Sequence, residues 1–442
     1  MQPILLVCNI IAGLLGFLYA YRVVFAVVGL FCTKKYAPAK HLHRYAIIIA
    51  ARNEQTVLGN LLDSIAAQDY PAQNLTTFVV ADNCTDQTAA VARQHGAICY
   101  ERFNDRECTK GFALRYLFEM IERDYGRDRF DGYLIFDADN LLMHDYISRM
   151  NDAFDAGERV VVSYRNTKNL GDGWLSASYA LHWVRTCRLE HCARSFFGIS
   201  ARIQGTGVLF DKSFVANGWN YTSLTEDRAF SSDVVAEGVT IAYQHDAQFF
   251  DEQPTSIFIA MRQRLRWAKG NLQAFTETGG KLLRGIFKQK KTRNKISCYD
   301  MLLFNFPSSV VSIPVKLIEA ALIVILALTG GDPSPAWYML LFQVIEILIF
   351  EHFAVIPMGF LIFFTERKRL RPLHWYQYLW YALMFPLFGI IGDIVMMLAV
   401  FVKVGWKPIP HRADISIDTL DPQCEAVGGE QPAREREPIG KK

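Results

Sequence analysis

The sequence has no Cys-X-X-Cys pair among its nine cysteines, so the spacing that marks a structural zinc site or a thioredoxin-type redox centre is missing. Cys187, His191 and Cys192 fall close together, but they read as one helix surface of small, polarizable residues rather than a ligand set. Free thiols throughout the main domain fit a reducing cytosol. Charge of one sign is equally scarce: 47 Lys and Arg against 44 Asp and Glu leave a net of +3. That balance singles out no charged partner, and no nucleic-acid partner is expected. The N-terminal segment lacks the basic start and the small-residue cleavage site of a secretory signal, and its apolar run is too long for one.

What the chain has in excess is apolar residues, 51% of 442, more than a soluble enzyme of this size usually carries. Residues 3–31 are apolar except for Asn9 and Arg22. As a helix they reach ~43 Å, longer than the ~30 Å hydrocarbon core, and Arg22 reads as a side chain snorkelling to the interface. Lys34, Lys35, Lys40 and Arg44 follow and place that end in the cytosol. Three more apolar stretches lie near 301–330, 336–364 and 373–404, separated by the turn GGDPSP (330–335) and the basic ERKRLR (366–371). Four spans starting outside would end outside, whereas Lys403, Lys407 and Arg412 favour the inside. Pro386, Gly389 and Gly392 offer one resolution, with the last stretch bending as a re-entrant or interfacial hairpin.

Between these segments, short apolar runs alternate with helical patterns: AIIIA (46–50), FVVA (78–81) and YLIFDAD (133–139) against helices near 56–68, 88–95 and 112–124. Strand and helix alternating at this pace predict parallel pairing in a doubly wound sheet, with ligands at the C-terminal strand ends. Residues 256–295 mix apolar residues with many cations, as amphipathic helices on a membrane surface do. The expected division is a transmembrane helix (1–33), a cytosolic catalytic domain (34–255), interface helices (256–300), a transmembrane region (301–404) and a mostly disordered tail (405–442).

Four short motifs carry chemistry. Asp137 and Asp139 end the strand YLIF; two carboxylates at i and i+2 can share a divalent cation with a diphosphate. Asp82, after FVVA, can read the edge of a base or ribose, and Asn83 tolerates a left-handed backbone. Thr225-Glu226-Asp227 offers a carboxylate general base for an acceptor hydroxyl. Gln263-Arg264-Leu265-Arg266-Trp267 supplies a fixed cation for a diphosphate and a flat wall for a sugar. Taken singly, each also reads as an ordinary turn, helix cap or basic membrane-surface helix.

In this order and at these distances, the four motifs resemble those of the processive membrane glycosyltransferases of family 2, which include cellulose, hyaluronan and poly-N-acetylglucosamine synthases. The resemblance covers roughly residues 40–410. It implies an α/β, GT-A-type, doubly wound Rossmann-like sheet flanked by transmembrane and amphipathic interface helices. It implies inverting transfer of a hexose from a UDP-sugar, assisted by Mg2+ or Mn2+, to a growing β-linked polysaccharide at the cytosolic face of a bacterial-type cell membrane. Secretion would run through the enzyme's own helices, with an accessory export subunit as a partner. Glu319, Glu346, Glu351, His352 and Asp393 are the intramembrane polar residues that could line such a path.

Carried over residue by residue, the resemblance gives donor contacts to Asn53, Glu54, Asp82, Lys110, Asp137 and Arg266. It gives the acceptor to Gly205, Thr206, Gly207, Gln263 and Trp267. The metal falls to Asp137 and Asp139, and catalysis to Asp227 with Glu226 in support. Trp406-Lys407-Pro408 resembles a C-terminal tryptophan motif that closes over the nucleotide. The chain departs from the family pattern at Ala81-Asp82-Asn83, where Asp-Asp-Gly is common. Two alternatives stay open: addition of a single sugar to a lipid acceptor, and a non-catalytic membrane subunit of an export complex.

Overall fold

The computed structural model describes residues 2–329, 334–345, 353–405, 411 and 413–420. At its centre lies a sheet whose eight strands are β1 (Tyr45–Ala51), β2 (Leu75–Asp82), β3 (Ile98–Arg102), β4 (Gly132–Asp137), β5 (Leu141–Leu142), β6 (Val160–Thr167), β7 (Val208–Asp211) and β8 (Ile241–Asp251). Their order is β3-β2-β1-β4-β7-β6-β8-β5. The first half follows the sequence expectation: β1 pairs in parallel with β2 and β4, and β2 with β3. The second half does not, because β7 runs antiparallel to both β4 and β6, so the sheet is mixed.

Alternation of side chains across the pleat sets the two faces. Ile48 joins one core with Phe78, Val80, Leu114 and Leu117. Its neighbours Ile47 and Ile49 join the other with Leu58, Leu61, Leu134 and Phe136. Helices Leu58–Ala66 and Lys110–Tyr125 cover these opposite faces, as the doubly wound pattern requires. Register then fixes the business end: Ala51 lies opposite Ala81 and Ala50 opposite Asp137, so Asp82 and Asp137 leave the sheet at the same edge.

Among the described residues three helices are long and apolar enough to cross a membrane: Pro3–Phe31, Ser308–Thr329 and Trp375–Phe401. The last is one continuous helix with Pro386 inside it, so the expected hairpin is not formed. A Pro inside a helix removes one backbone hydrogen bond, and neighbouring helices compensate. Part of the stretch 336–364 lies outside the described residues, as do Glu346, Glu351, His352 and the Trp406-Lys407-Pro408 motif. Asp393 is held by Ser309 Oγ, which donates to its Oδ1 at 2.7 Å.

The basic segment after residue 256 forms one 32-residue helix, Ile257–Lys288, followed by Thr292–Asn305. Polar anchors join the long helix to the apolar helix Trp375–Phe401: Arg264 donates to the Phe388 carbonyl at 2.6 Å, and Lys269 to that of Ala399 at 3.0 Å. The N-terminal span is anchored too, since Tyr19 donates to the Leu303 carbonyl and Tyr299 to that of Leu18, both at 2.8 Å.

Candidate active site

One cavity of about 620 Å³ opens at the C-terminal ends of β1, β2 and β4 and runs back to the apolar helices. Its walls include Asp82, Lys110, Asp137, Asp139, Gly205, Glu226, Asp227, Gln263, Arg266 and Trp267, so chemistry from all four motifs meets in a single space.

Each motif is placed by a local device. Asp137 ends β4, and its backbone N–H donates to Thr206 Oγ1 at 2.9 Å, tying the DxD turn to the Gly205–Gly207 loop. Gly207 has φ +66, and a Cβ there would come within 2.4 Å of Phe249, so only glycine fits the turn. Asn53 and Asn83 both adopt positive φ. Each uses its side-chain oxygen as a clamp: Asn53 Oδ1 accepts from Thr85 N and Asn83 Oδ1 from Asn104 N, both at 2.8 Å. Gln263, Arg266 and Trp267 sit at i, i+3 and i+4, one face of the long helix, and that face lines the cavity. Arg264, which also lines the cavity, reaches the apolar helix and stacks on Phe388 at 3.9 Å. Gly270, one turn on, lets this helix approach the Thr225 loop; a Cβ there would meet the Thr225 side chain at 2.4 Å.

Lys110 links the acidic motifs. Its Nζ pairs with Asp137, donates to the Gly205 carbonyl at 2.8 Å, and lies 3.8 Å from Glu226 Oε1. Burial pushes the Glu226 carboxyl up to about 7; Lys110 opposes this and Asp227 adds to it by like-charge repulsion. Asp227 is raised as well, by burial, against Arg228 and Lys110. Arg266 is lowered by burial, offset in part by Glu226, Asp137 and Asp227.

A second charge cluster surrounds Asp139. Its carboxylate accepts from the Glu252 N–H at 2.9 Å. Burial raises its pKa, but His411, Lys168 and Arg165 outweigh that and hold it below the usual carboxylate range. His411 Nδ1 meets Glu54 at 3.0 Å; burial works against its charge, yet Asp139 and Glu54 lift its pKa to about 10. Arg165 pairs with Asp251, whose carboxyl burial pushes up to about 6. Asp82 is engaged by Arg102 at 2.7 Å. Trp267 stands edge-on to Trp183 at 5.7 Å and to Tyr179 at 6.1 Å, forming an aromatic wall.

Buried polar atoms without a partner recur around this space: Thr225 Oγ1, Gln263 Oε1, Arg266 Nε and Lys168 Nζ. Native interiors hold few such groups, and those of Thr225, Gln263 and Arg266 line the cavity with bonding capacity unused. Asp137 and Asp139 line the same cavity with oxygen donors that suit Mg2+ or Mn2+, and the Asp137 side chain keeps 39% exposure. Among the described residues no group of three His, Cys, Asp or Glu is arranged to hold an ion unaided, so donor phosphate and water would complete the shell.

The pattern of a family described as glycosyltransferase-like family 2 matches residues 43–270, more than half of the chain. The chain belongs to this family. This glycosyltransferase is 22% identical over 285 residues to the poly-beta-1,6-N-acetyl-D-glucosamine synthase of Staphylococcus epidermidis, covering 64% of this chain and 65% of that protein. It is 20% identical over 283 residues to the beta-monoglucosyldiacylglycerol synthase of Synechocystis, covering 61% and 55% respectively. The chain spans about 55–65% of the length of the curated relatives it matches. Among solved structures, the mannosyltransferase PcManGT from Pyrobaculum calidifontis, in complex with GDP-Man and Mn2+, superposes with a TM-score of 0.56 at 16% identity, over 88% of this chain and 99% of that one. That likeness fixes a GT-A-like fold.

Several residues around the site escape a reading of the sequence. Arg165, Lys168, Asp251 and His411 belong to no short motif and meet only through folding. The signal available was positional: the first two flank the C-terminal end of β6 and Asp251 ends β8, where α/β ligands bind. Arg22 is also placed differently from the sequence expectation. It lines the cavity, where the Glu190 carboxylate on a neighbouring helix supplies opposite charge.

Proposed function

We propose that this glycosyltransferase moves a sugar from a nucleoside-diphosphate donor, UDP by preference, to a hydroxyl on a membrane-borne acceptor, with inversion at the anomeric carbon. The observation that carries the reading is the meeting of Lys110, the two acidic motifs and the Arg266–Trp267 pair in one cavity that extends to the apolar helices.

In this reading Asp82 and Glu54 face the nucleoside, Asn53 lies off the cavity wall and holds the adjoining Thr85 turn instead, and Lys110 and Arg266 face the diphosphate. Asp137 and Asp139 would hold Mg2+ or Mn2+, which when bound neutralises the leaving diphosphate. Gly205, Gln263 and Trp267 seat the acceptor, while Thr206 and Gly207, which lie off the cavity wall, hold that loop against the DxD turn and Phe249. Asp227 takes the proton of the acceptor hydroxyl as its oxygen attacks the anomeric carbon, and the bond from that carbon to the diphosphate breaks from the opposite face. Burial holds the Asp227 carboxyl above the usual carboxylate range, which favours its taking a proton. An α-linked donor then gives a β-linked product. The catalytic domain lies on the cytosolic side.

Two acceptors suit this arrangement: a growing β-linked glycan, as in the poly-N-acetylglucosamine synthase relative, and a lipid, as in the glucosyldiacylglycerol synthase relative. Membranes incubated with a panel of radiolabelled UDP-sugars and Mg2+ or Mn2+, followed by product sizing, separate them: a ladder marks the glycan and one discrete species the lipid. No incorporation from any nucleotide sugar sinks the proposal.

The pH dependence is a further check. The base must be ionised, and the buried Glu226–Asp227 pair titrates high, with Glu226 up to about 7. Activity should therefore fall with an acid limb that lies above the usual carboxylate range. An acid limb near pH 4 in the initial-rate profile contradicts the assignment.

A further inference from the structure

The membrane-side end of the same cavity is built differently from its catalytic end. Helix Trp174–Arg185 runs on through a π-helical turn, Thr186–His191, a distortion that recurs at functional sites. The turn brings Glu190 into a ring of arginines. Arg185 meets Glu190 Oε1 at 3.4 Å, Arg194 meets Oε2 at 3.1 Å, and Arg202 pairs with Oε2 as well. Arg194 also forms a two-pronged pair with Asp300, at 2.7 and 3.1 Å, and Tyr21 donates to Asp300 at 2.6 Å. Arg22, from the N-terminal apolar helix, adds its charge to the field on Glu190.

Four arginines thus face two carboxylates whose oxygens are already engaged. Two positive charges are left over, on side chains half-buried at Arg22 and Arg185 and buried at Arg202. Arg22 Nε and Arg202 Nε are buried with no hydrogen-bond partner. Arg228, next to the proposed base, continues the line: Arg202 and Arg228 lie against the same Phe304 ring, at 3.9 and 4.4 Å. Uncompensated buried charge is expensive, and an intramembrane arginine that faces a cavity marks a ligand path. Guanidinium groups with free N–H donors match phosphate oxygens better than any other anion-binding side chain.

We propose that Arg22, Arg185, Arg202 and Arg228 form a phosphate subsite, and that its occupant is the phosphate headgroup of a membrane lipid that also carries the accepting hydroxyl. The lipid source follows from position. The subsite is walled by Tyr19 and Arg22 of one apolar helix and by Pro307 and Ser308 at the start of another, so an acyl or prenyl chain has apolar helices to lie against. The proposal rests on the transferase reading above and names the chemistry of its acceptor.

The test uses the full chain in phosphate-free dodecyl maltoside micelles with Mg2+, followed by thermal unfolding with four additions: none, phosphatidic acid, inorganic phosphate and UDP. A ligand that binds the folded state raises the midpoint in proportion to its occupancy. Phosphatidic acid is expected to raise it in the wild type. The rise should vanish in Arg22→Gln and Arg185→Gln and return in Arg22→Lys, while each variant keeps its response to UDP as proof of folding. Lys288→Gln, remote from the cavity, should behave as wild type. An undiminished phosphatidic-acid shift in both glutamine variants overturns the subsite, and an equal shift with inorganic phosphate overturns its lipid occupant. Absence of a UDP response in the wild type counts against the transferase reading instead, and leaves the phosphate arm readable.

Discussion

Replacing Asp227 by Asn is expected to lower turnover by about 10²- to 10⁴-fold, the range for losing a general base, while UDP binding stays within a few-fold of wild type. Asn keeps the size and much of the hydrogen bonding of Asp but cannot take the acceptor proton. In the proposed arrangement the donor is held elsewhere, on the Lys110, Arg266 and DxD side of the cavity, so its affinity has little reason to fall. The neighbouring Glu226 complicates the outcome in a useful way. Like-charge repulsion from Asp227 helps hold Glu226 up, so the Asn variant should ionise Glu226 at lower pH. If Glu226 were the true base, Asp227→Asn would keep most of its activity and Glu226→Gln would lose it. Initial rates with a radiolabelled donor, paired with calorimetric UDP titration of both variants, decide between them; full turnover in Asp227→Asn removes it as the base.

Much of this site could be read from the chain because the first half of the sheet obeys simple rules. β1, β2 and β4 are buried on both faces and appear as short apolar runs ending in polar residues, so Asp82 and Asp137 stood out at strand ends. The second half was opaque for a physical reason. β6 (VVVSYRNT) and β8 (IAYQHDAQFFD) are buried along nearly their whole length yet carry Arg165, Asn166, His245 and Asp251. Arg165 pairs with Asp251, Asn166 donates to the Arg369 carbonyl and His245 meets the Tyr243 hydroxyl, so polar groups satisfied inside the fold erase the hydrophobic pattern that would have announced a strand. β3 (ICYER) is an edge strand, only half-buried, and lacks the apolar run for the same kind of reason. Arg22 was legible as an oddity in an apolar helix, but its direction depends on Glu190, about 170 residues away, and no local rule supplies that. Motifs with fixed spacing could be found; clusters assembled by tertiary contact could not.

Lys110→Met is the second large effect, and it acts on stability and chemistry together. Lys110 keeps its charge in a poorly solvated place: burial alone would lower its pKa, but Asp137 and Glu226 more than offset that and raise it. Methionine preserves the length and apolar stem while removing the cation. Asp137 and Glu226 then lose their shared counter-charge, and the Gly205 carbonyl loses its donor. Breaking a buried pair from one side costs 3–5 kcal/mol; with 39% of the Asp137 side chain exposed, about 3 kcal/mol is expected here, read from chemical denaturation. Chemistry suffers separately, because Lys110 is what opposes the upward push on Glu226 and Asp227. Without it the acid limb of the pH–rate profile should move upward, so the variant loses most at neutral pH and recovers part of its rate in alkali. Lys110→Arg tells charge from geometry. It restores the cation, and so the position of the acid limb, but its rigid fork does not reproduce a single ammonium shared among Asp137, Gly205 and Glu226. A limb that stays at its wild-type position in Lys110→Met would show that Lys110 does not set the ionisation of the acidic pair, and with it the idea that one lysine couples the donor side of the cavity to its base would fall.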